Sequence, residues 1–445
     1  MSERAPSWGI EPVPERLRVL GLADLALLWG NLSVSLLVIV AGALLVPGLS
    51  LPLALLAIVV GAVLGNLMLG AAGLIGADAR VPAMVLLRAP LGQRGSYAPT
   101  ALNVAQGLGW STFELLIIAT AAGALSDELF GFEARWLWTL LFGGVAIVLA
   151  LLGPIGFVRR YVRTFAVWCV IASLGYLTWW VLDRSDLGAF WSASGEGGFP
   201  TYWQGVDLVI ASVVSWTPLA ADYTRFARSR RAAFWGTGVG YLVPAIWMFG
   251  LGALLFLARD IGDAAAIPAA VAAGGVVSVL ALVALTVDET DEAFANVYST
   301  AVSIQNVLPA VSQRLLIVLV SATATAGALL IDLADYTTFL YLLGSCFVPL
   351  FGVLLADWLL NGAHYSPDDV FRSPAVRPGQ LAAWAVGFAL YQWLSPVGPS
   401  WWTDLVANTR PAPVDFSASL PSFAAAFALA ALVGLAHRRP RVAVS

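Results

Sequence analysis

Uninterrupted apolar runs decide what this chain can become. Residues 51–74, 136–152, 234–257 and 423–436 contain no charged side chain. About 20 mostly apolar residues in a helix cross a bilayer core. Lipid offers no partner to an open backbone, so runs of this kind fold as membrane helices. Composition extends the point to the whole chain: of 445 residues, 60% are hydrophobic and 11% charged, at a mean hydropathy of +0.84. Soluble domains are about one quarter charged. The period-2 alternation of an outer-membrane barrel is absent.

Twelve spans are predicted, at 20–46, 51–75, 97–124, 136–157, 162–182, 204–226, 233–258, 268–305, 313–333, 335–360, 379–396 and 416–436. The chain has no lysine, so its orientation rests on 23 arginines. With the N-terminus inside, nineteen fall in inside segments and only four, Arg135, Arg184, Arg259 and Arg410, fall outside. That asymmetry is the positive-inside pattern. A multi-pass protein of the cell inner membrane, with both ends cytoplasmic, is therefore expected. Residues 1–19 form a cytoplasmic segment with no cleavage site after a short apolar core, and 437–445 a cytoplasmic tail. Cys169 and Cys346 lie inside spans with neither disulfide nor metal spacing, and His364 and His437 lie in loops, which leaves no histidine relay in the membrane.

Polar residues at membrane depth are costly and mark sites or buried networks. Four clusters stand out. The first span carries Gly30, Asn31, Ser33 and Ser35 near its middle. Small polar residues there fit an unwound stretch whose carbonyls hold a cation, and equally a tight helix–helix contact. In the third span Asn103, Gln106, Trp110 and Glu114 fall within about 80° of arc, one stripe that has to face protein or a wet cavity. Trp offers a face for stacking a planar ring, and a carboxylate accepts from ring N–H or amino groups. The sixth span contains Ser215, Trp216 and Pro218, and the proline breaks or kinks it. Asp222 and Arg225, at i and i+3, read as a pair near the inner surface. In the eighth span Asp288, Glu289, Asp291, Glu292 and Asn296 share about 160° of one face. These acids read either as a cation or proton site or as a solvated helix end.

The motifs LWGNLSVSLLVIVAGALL, GLGWSTFELL, ADYTRFAR, NVYSTAVS and FVPLFGVLLADWLL, in that order, carry a resemblance. The chain resembles nucleobase:cation symporter family 1, and within it the cytosine-permease branch with its carriers of hydroxymethylpyrimidine, the thiamine precursor. The resemblance implies an all-α LeuT-type fold, with inverted five-helix repeats at 20–183 and 204–360 and helices eleven and twelve at 379–436. It implies a secondary active symporter importing a nucleobase-like pyrimidine with Na+ or H+. Substrate contacts fall to Asn31, Gln106, Trp110, Glu114, Ser215, Trp216 and Asn296, with Trp110 stacking on the ring. The cation site falls to Gly30, Asn31, Ser33, Thr290 and Asp291, with sodium as the metal ion there. Two departures stand out: Asp291 replaces a hydroxyl residue, and Trp216 lies about one turn from the family's second stacking position.

Other classes fit less well. Purine, hydantoin or allantoin carriage on the same fold is the first alternative. An amino-acid carrier needs helix-end amides for a carboxylate, which Glu114 would repel. No histidine cluster, phosphate loop or nucleophile–base pair suggests an enzyme, and no filter repeat suggests a channel. No cofactor and no nucleic-acid partner is expected, and the chain reads as a monomer in the lipid bilayer.

Overall fold

The structure, a computed structural model, describes residues 9–157, 167–183, 185–331, 336–410 and 414–437, apart from the side chains at 153–157, 167, 291 and 437. Both chain ends, the arginine-bearing segment 158–166 and residues 332–335 lie outside the described residues. The principal helices, in chain order, are α1 (Leu22–Asn31), α2 (Leu36–Ala43), α3 (Leu51–Ala79), α4 (Tyr97–Phe130) and α5 (Arg135–Phe157). They continue with α6 (Val167–Asp183), α7 (Tyr202–Val214), α8 (Thr217–Thr224), α9 (Arg230–Ala258), α10 (Val276–Asp288) and α11 (Thr290–Ile304). Last come α12 (Gln313–Leu330), α13 (Tyr336–Leu360), α14 (Pro378–Leu394) and α15 (Ser419–His437). Among the described residues there is no strand, only a single bridge between Leu20 and Ala227.

Each predicted span contains helix among the described residues. By length and apolarity alone, eight helices among the described residues cross a membrane, or nine with α1 and α2 taken as one bent span. The boundaries have local causes. Ser50 precedes α3 and Pro52 sits in its first turn, where a missing N–H costs nothing. Ser229 accepts from Ala232 N at 3.1 Å to start α9. Gly131, at φ 65°, closes α4 six residues beyond the predicted end at 124.

Three spans are interrupted. The first bends by 60° between α1 and α2, across Leu32 to Ser35. The sixth breaks at Ser215 and Trp216, just before Pro218. The eighth, predicted as one helix over 268–305, is instead cut before Gly275, at φ 99°, and again at Glu289. Gly275 takes a backbone conformation that side chains disfavour, which explains the first cut.

The broken first and sixth spans lie inside one packed group. α9 packs on α1, α2 and α3, and α3 packs on α7 and α8. A second group joins α4, α5, α11 and α12. Packing in the first group depends on absent side chains. An added methyl at Gly42 collides with the carbonyl of Phe249, and one at Gly252 with the carbonyl of Ile39. In lipid, such close backbone approach supplies the association that hydrophobicity does not. Gly252→Ala should therefore lower the melting temperature of the detergent-solubilised protein by several degrees, an overpacking cost of about 1–3 kcal/mol. Gly175→Ala, where an added methyl meets nothing within 4 Å, should leave it unchanged.

Candidate functional site

The interruptions in the first and sixth spans face the polar stripe of α4, and the whole region is buried. Asn103, Gln106, Trp110 and Glu114 are 1%, 2%, 8% and 0% exposed, so the stripe predicted on one face turns wholly into protein. Gln106 Nε2 donates to Ser215 O at 2.8 Å and to Asn103 Oδ1 at 3.1 Å. The first bond satisfies a carbonyl that the sixth-span break has released from the helix ladder. Asn103 donates in turn to Ser303 Oγ at 2.8 Å, tying α4 to α11. Gln106 Oε1 is buried without a donor.

Aromatic rings close the sides. Trp110 meets Phe339 and Tyr336 edge-on, with ring centroids 5.2 and 5.9 Å away. Trp216, in the sixth-span break, meets Trp29 edge-on at 5.9 Å. Trp29 is fully buried and its indole N–H finds no acceptor.

Asp288, Glu289 and Glu292 are buried rather than at a solvated helix end. Asp288, Glu289, Thr290 and Glu292 are 2%, 1%, 4% and 4% exposed. Asn31, the last residue of α1, donates from Nδ2 to Asp288 Oδ1 at 3.2 Å. Glu289 receives Ser35 Oγ at 2.6 Å and Leu36 N at 2.7 Å, so its carboxylate sits on the N-terminus of α2. Exposed N–H groups and the helix dipole both favour negative charge there. Carboxylate oxygens of Glu114, Glu289 and Glu292 lie within 4.8 Å of one another. Two unit charges about 5 Å apart repel by roughly 3 kcal/mol at an effective dielectric constant near 20. A cluster this tight therefore has to hold protons or a cation.

The remaining expected residues divide. Gly30 lies where a side chain would press on Gly240 O, and its carbonyl accepts from Ser33 Oγ at 2.9 Å, so Gly30 serves packing. Ser215 Oγ turns back to Ser212 O at 2.6 Å. Thr290 Oγ1 turns back to Val287 O at 2.7 Å, and the Asp291 side chain lies outside the described residues. The acid that reaches the first-span break is Glu289, immediately before the expected pair. Asn296 is 2% exposed and its amide nitrogen has no acceptor.

Asp222 and Arg225 are both buried, at 1% and 0% exposure, with the guanidinium close enough to act on the carboxylate. Asp222 Oδ1 accepts from Ala83 N at 2.9 Å, while Arg225 reaches the Asp222 carbonyl oxygen at 3.2 Å and Gly9 O at 2.8 Å. Trp29, Tyr241 and Tyr336 were not among the expected site residues, whereas Ser35 and Glu289 belonged to the polar clusters without an assigned contact. Ser35 and Trp29 lie in the first-span motif, and Glu289 lies one helical step from Glu292, but neither pattern says which side chain reaches across to another span.

Comparison with known proteins now decides the family. A family described as "Permease for cytosine/purines, uracil, thiamine, allantoin" matches residues 12–408. The chain belongs to this family. Among its relatives, the hydantoin permease of Microbacterium maritypicum is 29% identical over 316 residues, 66% of this chain and 63% of that protein's length. The cytosine permease of Escherichia coli strain K12 is 23% identical over 355 residues, 76% of this chain and 78% of the permease. The closed form of Mhp1, a nucleobase-cation-symport-1 family transporter with bromovinylhydantoin bound, superposes with a TM-score of 0.79 at 21% identity, covering 97% of this chain and 94% of that one. Its inward-facing form gives 0.76 at 20% identity, with coverages of 97% and 94%. This permease fold is thus shared over nearly the full chain.

Gln106→Leu tests the geometry without any ligand. It strips the Ser215 carbonyl of its donor, which should cost about 1–3 kcal/mol. A lowered melting temperature is expected, read by the fluorescence of the purified protein.

Proposed function

We propose that this chain is a secondary active symporter that imports a flat, neutral, amino-bearing pyrimidine, of the cytosine or hydroxymethylpyrimidine kind, with Na+ or H+. The observation that carries the reading is the buried stripe of α4: the Trp110 ring lies one turn from the carboxylate of Glu114 and one turn from the unsatisfied Gln106 Oε1. Across from it, Asn296 offers an amide N–H without an acceptor. A planar ring needs one face to stack on, acceptors for its amino group and ring N–H, and a donor for its ring nitrogen or carbonyl. Family membership supports the same class of cargo. An amino acid fits poorly, because its carboxylate would meet Glu114.

The topology belongs to this proposal: twelve spans in the inner membrane, both termini cytoplasmic, two inverted repeats over 20–183 and 204–360, and a monomer. Asn31, Ser215 and Trp216 are assigned to the first- and sixth-span walls of the pocket. Hydantoin, allantoin and purines are the competing rings.

Trp110→Ala should weaken cytosine binding by the loss of stacking, about 1–3 kcal/mol, measured by titration calorimetry. Binding of none of cytosine, hydroxymethylpyrimidine or hydantoin to the unaltered protein, with binding of an amino acid or sugar instead, would sink the reading. Glu114→Gln keeps the side-chain shape but weakens the acceptor and adds a donor. It should weaken cytosine about tenfold or more, as expected for a hydrogen bond to a charged group, and uracil less. Equal weakening of the two would make Glu114 a structural carboxylate.

A further inference from the structure

A cavity of about 550 Å³ lies at the end of the structure that the proposed topology turns to the cytoplasm, and it shares no lining residue with the site described above. Its walls carry the guanidiniums of Arg18, Arg80 and Arg230 and the imidazole of His364, together with the Asp78 carboxylate and the Ser229 hydroxyl. Four segments converge there: residues 12–18, the end of α3, the start of α9 and the turn after α13. Pockets of about 300–1,000 Å³ take small organic molecules, so the volume suits more than a bare ion.

Two of the guanidiniums share one carboxylate. Arg18 Nη1 donates to Glu15 Oε1 and Oε2 at 3.1 and 3.0 Å, and Arg80 Nη1 lies 3.2 Å from Glu15 Oε2. The Arg18 side chain is 9% exposed and its Nε is fixed on Ala227 O at 2.9 Å, whereas the Glu15 side chain is 70% exposed. A solvated carboxylate is a weak, screened partner, so Glu15 occupies the place of an anion without burying its own charge. Arg230 pairs with Asp78, which leaves three guanidiniums against two carboxylates. Backbone strain gathers at the same place. Among the described residues three non-glycine residues have φ in the left-handed region, and two of them belong here. One is Arg80, at 65°; the other is Ala363, at 55°, whose carbonyl accepts from Arg230 Nη1 at 3.0 Å. Arg80 closes α3 in a conformation for which glycine is the usual and unstrained residue. Strain of that kind costs stability and collects at functional sites.

We propose that this cavity binds a phosphate-bearing anion, with Arg18, Arg80 and Arg230 on its oxygens and Glu15 displaced to water. A phosphate monoester carries close to two charges at neutral pH and three acceptor oxygens, which suits converging guanidinium forks better than one carboxylate does. Occupancy has a mechanical consequence. Residues 9–20 are strapped over the inner half of the sixth span: Gly9 O accepts from Arg225 Nη1 at 2.8 Å, Leu20 N donates to Phe226 O at 3.0 Å, and Leu20 O accepts from Arg228 N at 2.8 Å. An anion that joins Arg18 of this strap to Arg80 of α3 and Arg230 of α9 fastens the strap to two further spans and resists inward opening. A soluble phosphate ester and a phospholipid headgroup offer the same chemistry. The site stands on its own residues, and only its effect on transport rests on the symport reading above.

The test uses the full chain, purified in detergent. Phenyl phosphate should bind in titration calorimetry, more weakly as salt is raised, and benzoate should not. Hydrogen exchange of residues 9–20 should slow in its presence. Glu15→Gln removes the competitor and should tighten binding about two- to fivefold. Arg80→Gly should weaken binding about tenfold or more, the loss of a charge-assisted pair. Its melting temperature without ligand should stay level or rise, because the strain is gone. A purely structural Arg80 gives the reverse, a lower melting temperature with binding unmoved, and overturns the proposal. Nanodiscs separate the two sources. Protection of residues 9–20 by phosphatidic acid but not phosphatidylcholine assigns the site to a lipid headgroup, and protection by phenyl phosphate in phosphatidylcholine assigns it to a soluble ester. Neither protection, or an affinity indifferent to both substitutions, also overturns the proposal. In proteoliposomes phenyl phosphate should slow cytosine counterflow severalfold, and less in Arg80→Gly; binding without slowing overturns the role of the strap. Failure of the symport reading looks different: the unaltered protein then exchanges none of cytosine, hydroxymethylpyrimidine or hydantoin, while calorimetry still finds the anion.

Discussion

The arrangement depends on how a lysine-free membrane protein holds buried carboxylates. It answers them with backbone N–H groups. Glu289 takes Leu36 N at 2.7 Å, Asp207 takes Ala418 N at 2.6 Å, Asp222 takes Ala83 N at 2.9 Å, and Asp78 takes Tyr365 N at 2.9 Å. Each of those N–H groups belongs to a helix start or a turn, where no intrahelical acceptor waits for it. Such bonds satisfy two costly groups at once, since neither a bare carboxylate nor an orphan amide is tolerated away from water. They also make the acids into ties between distant segments: Asp207 fastens α7 to the start of α15, and Glu289 fastens the eighth span to the first.

Glu114 breaks the pattern, and the breach supports the proposed site. It sits fully buried in the middle of α4 with carboxylates for neighbours. Helix-interior amides are already paired along α4, so its own backbone offers it nothing. Its satisfaction has to come from a proton, an ion or a cargo molecule. Around it, Gln106 keeps an unused acceptor and Asn296 an unused donor. Buried polar atoms without partners are scarce in folded proteins, and their gathering on facing helices beside two backbone breaks supports the proposed binding place.

Much of this was legible in the sequence, for a physical reason. In lipid a polar side chain has few places to go, so the α4 stripe could only face protein or a wet cavity, while Pro218 signalled the sixth-span break and the small polar residues of the first span fitted a break and a tight helix contact equally. The helix positions followed from the apolar runs. What the sequence could not say was which of the closely spaced acids in 288–292 reaches another span, because register fixes direction around one helix and not the partner beyond it. Trp29, Tyr241 and Tyr336 escaped for the opposite reason: aromatic residues are ordinary in membrane helices, and nothing local sets them apart. The cut before Gly275 was signalled by the paired Gly274 and Gly275, and was overlooked because the apolar run continues through them.

One end of the structure differs in kind from its middle. Where α3, α9 and α13 meet the segment after α13, Asp78 binds Arg230, Trp358 Nε1 at 2.9 Å and His364 Nδ1 at 2.7 Å. Nearby, Asp357 binds Arg377 at 2.7 Å and the Tyr365 hydroxyl at 2.8 Å. Arg230 and His364 are partly exposed, so water can replace them as partners and the latch can open at modest cost. Glu114 has no such substitute: it is fully buried, and among the described residues no side chain donates to its carboxylate. Under the proposed symport, an ion that binds beside it would act on the first-span break through Glu289, which holds Ser35 and Leu36 at the start of α2.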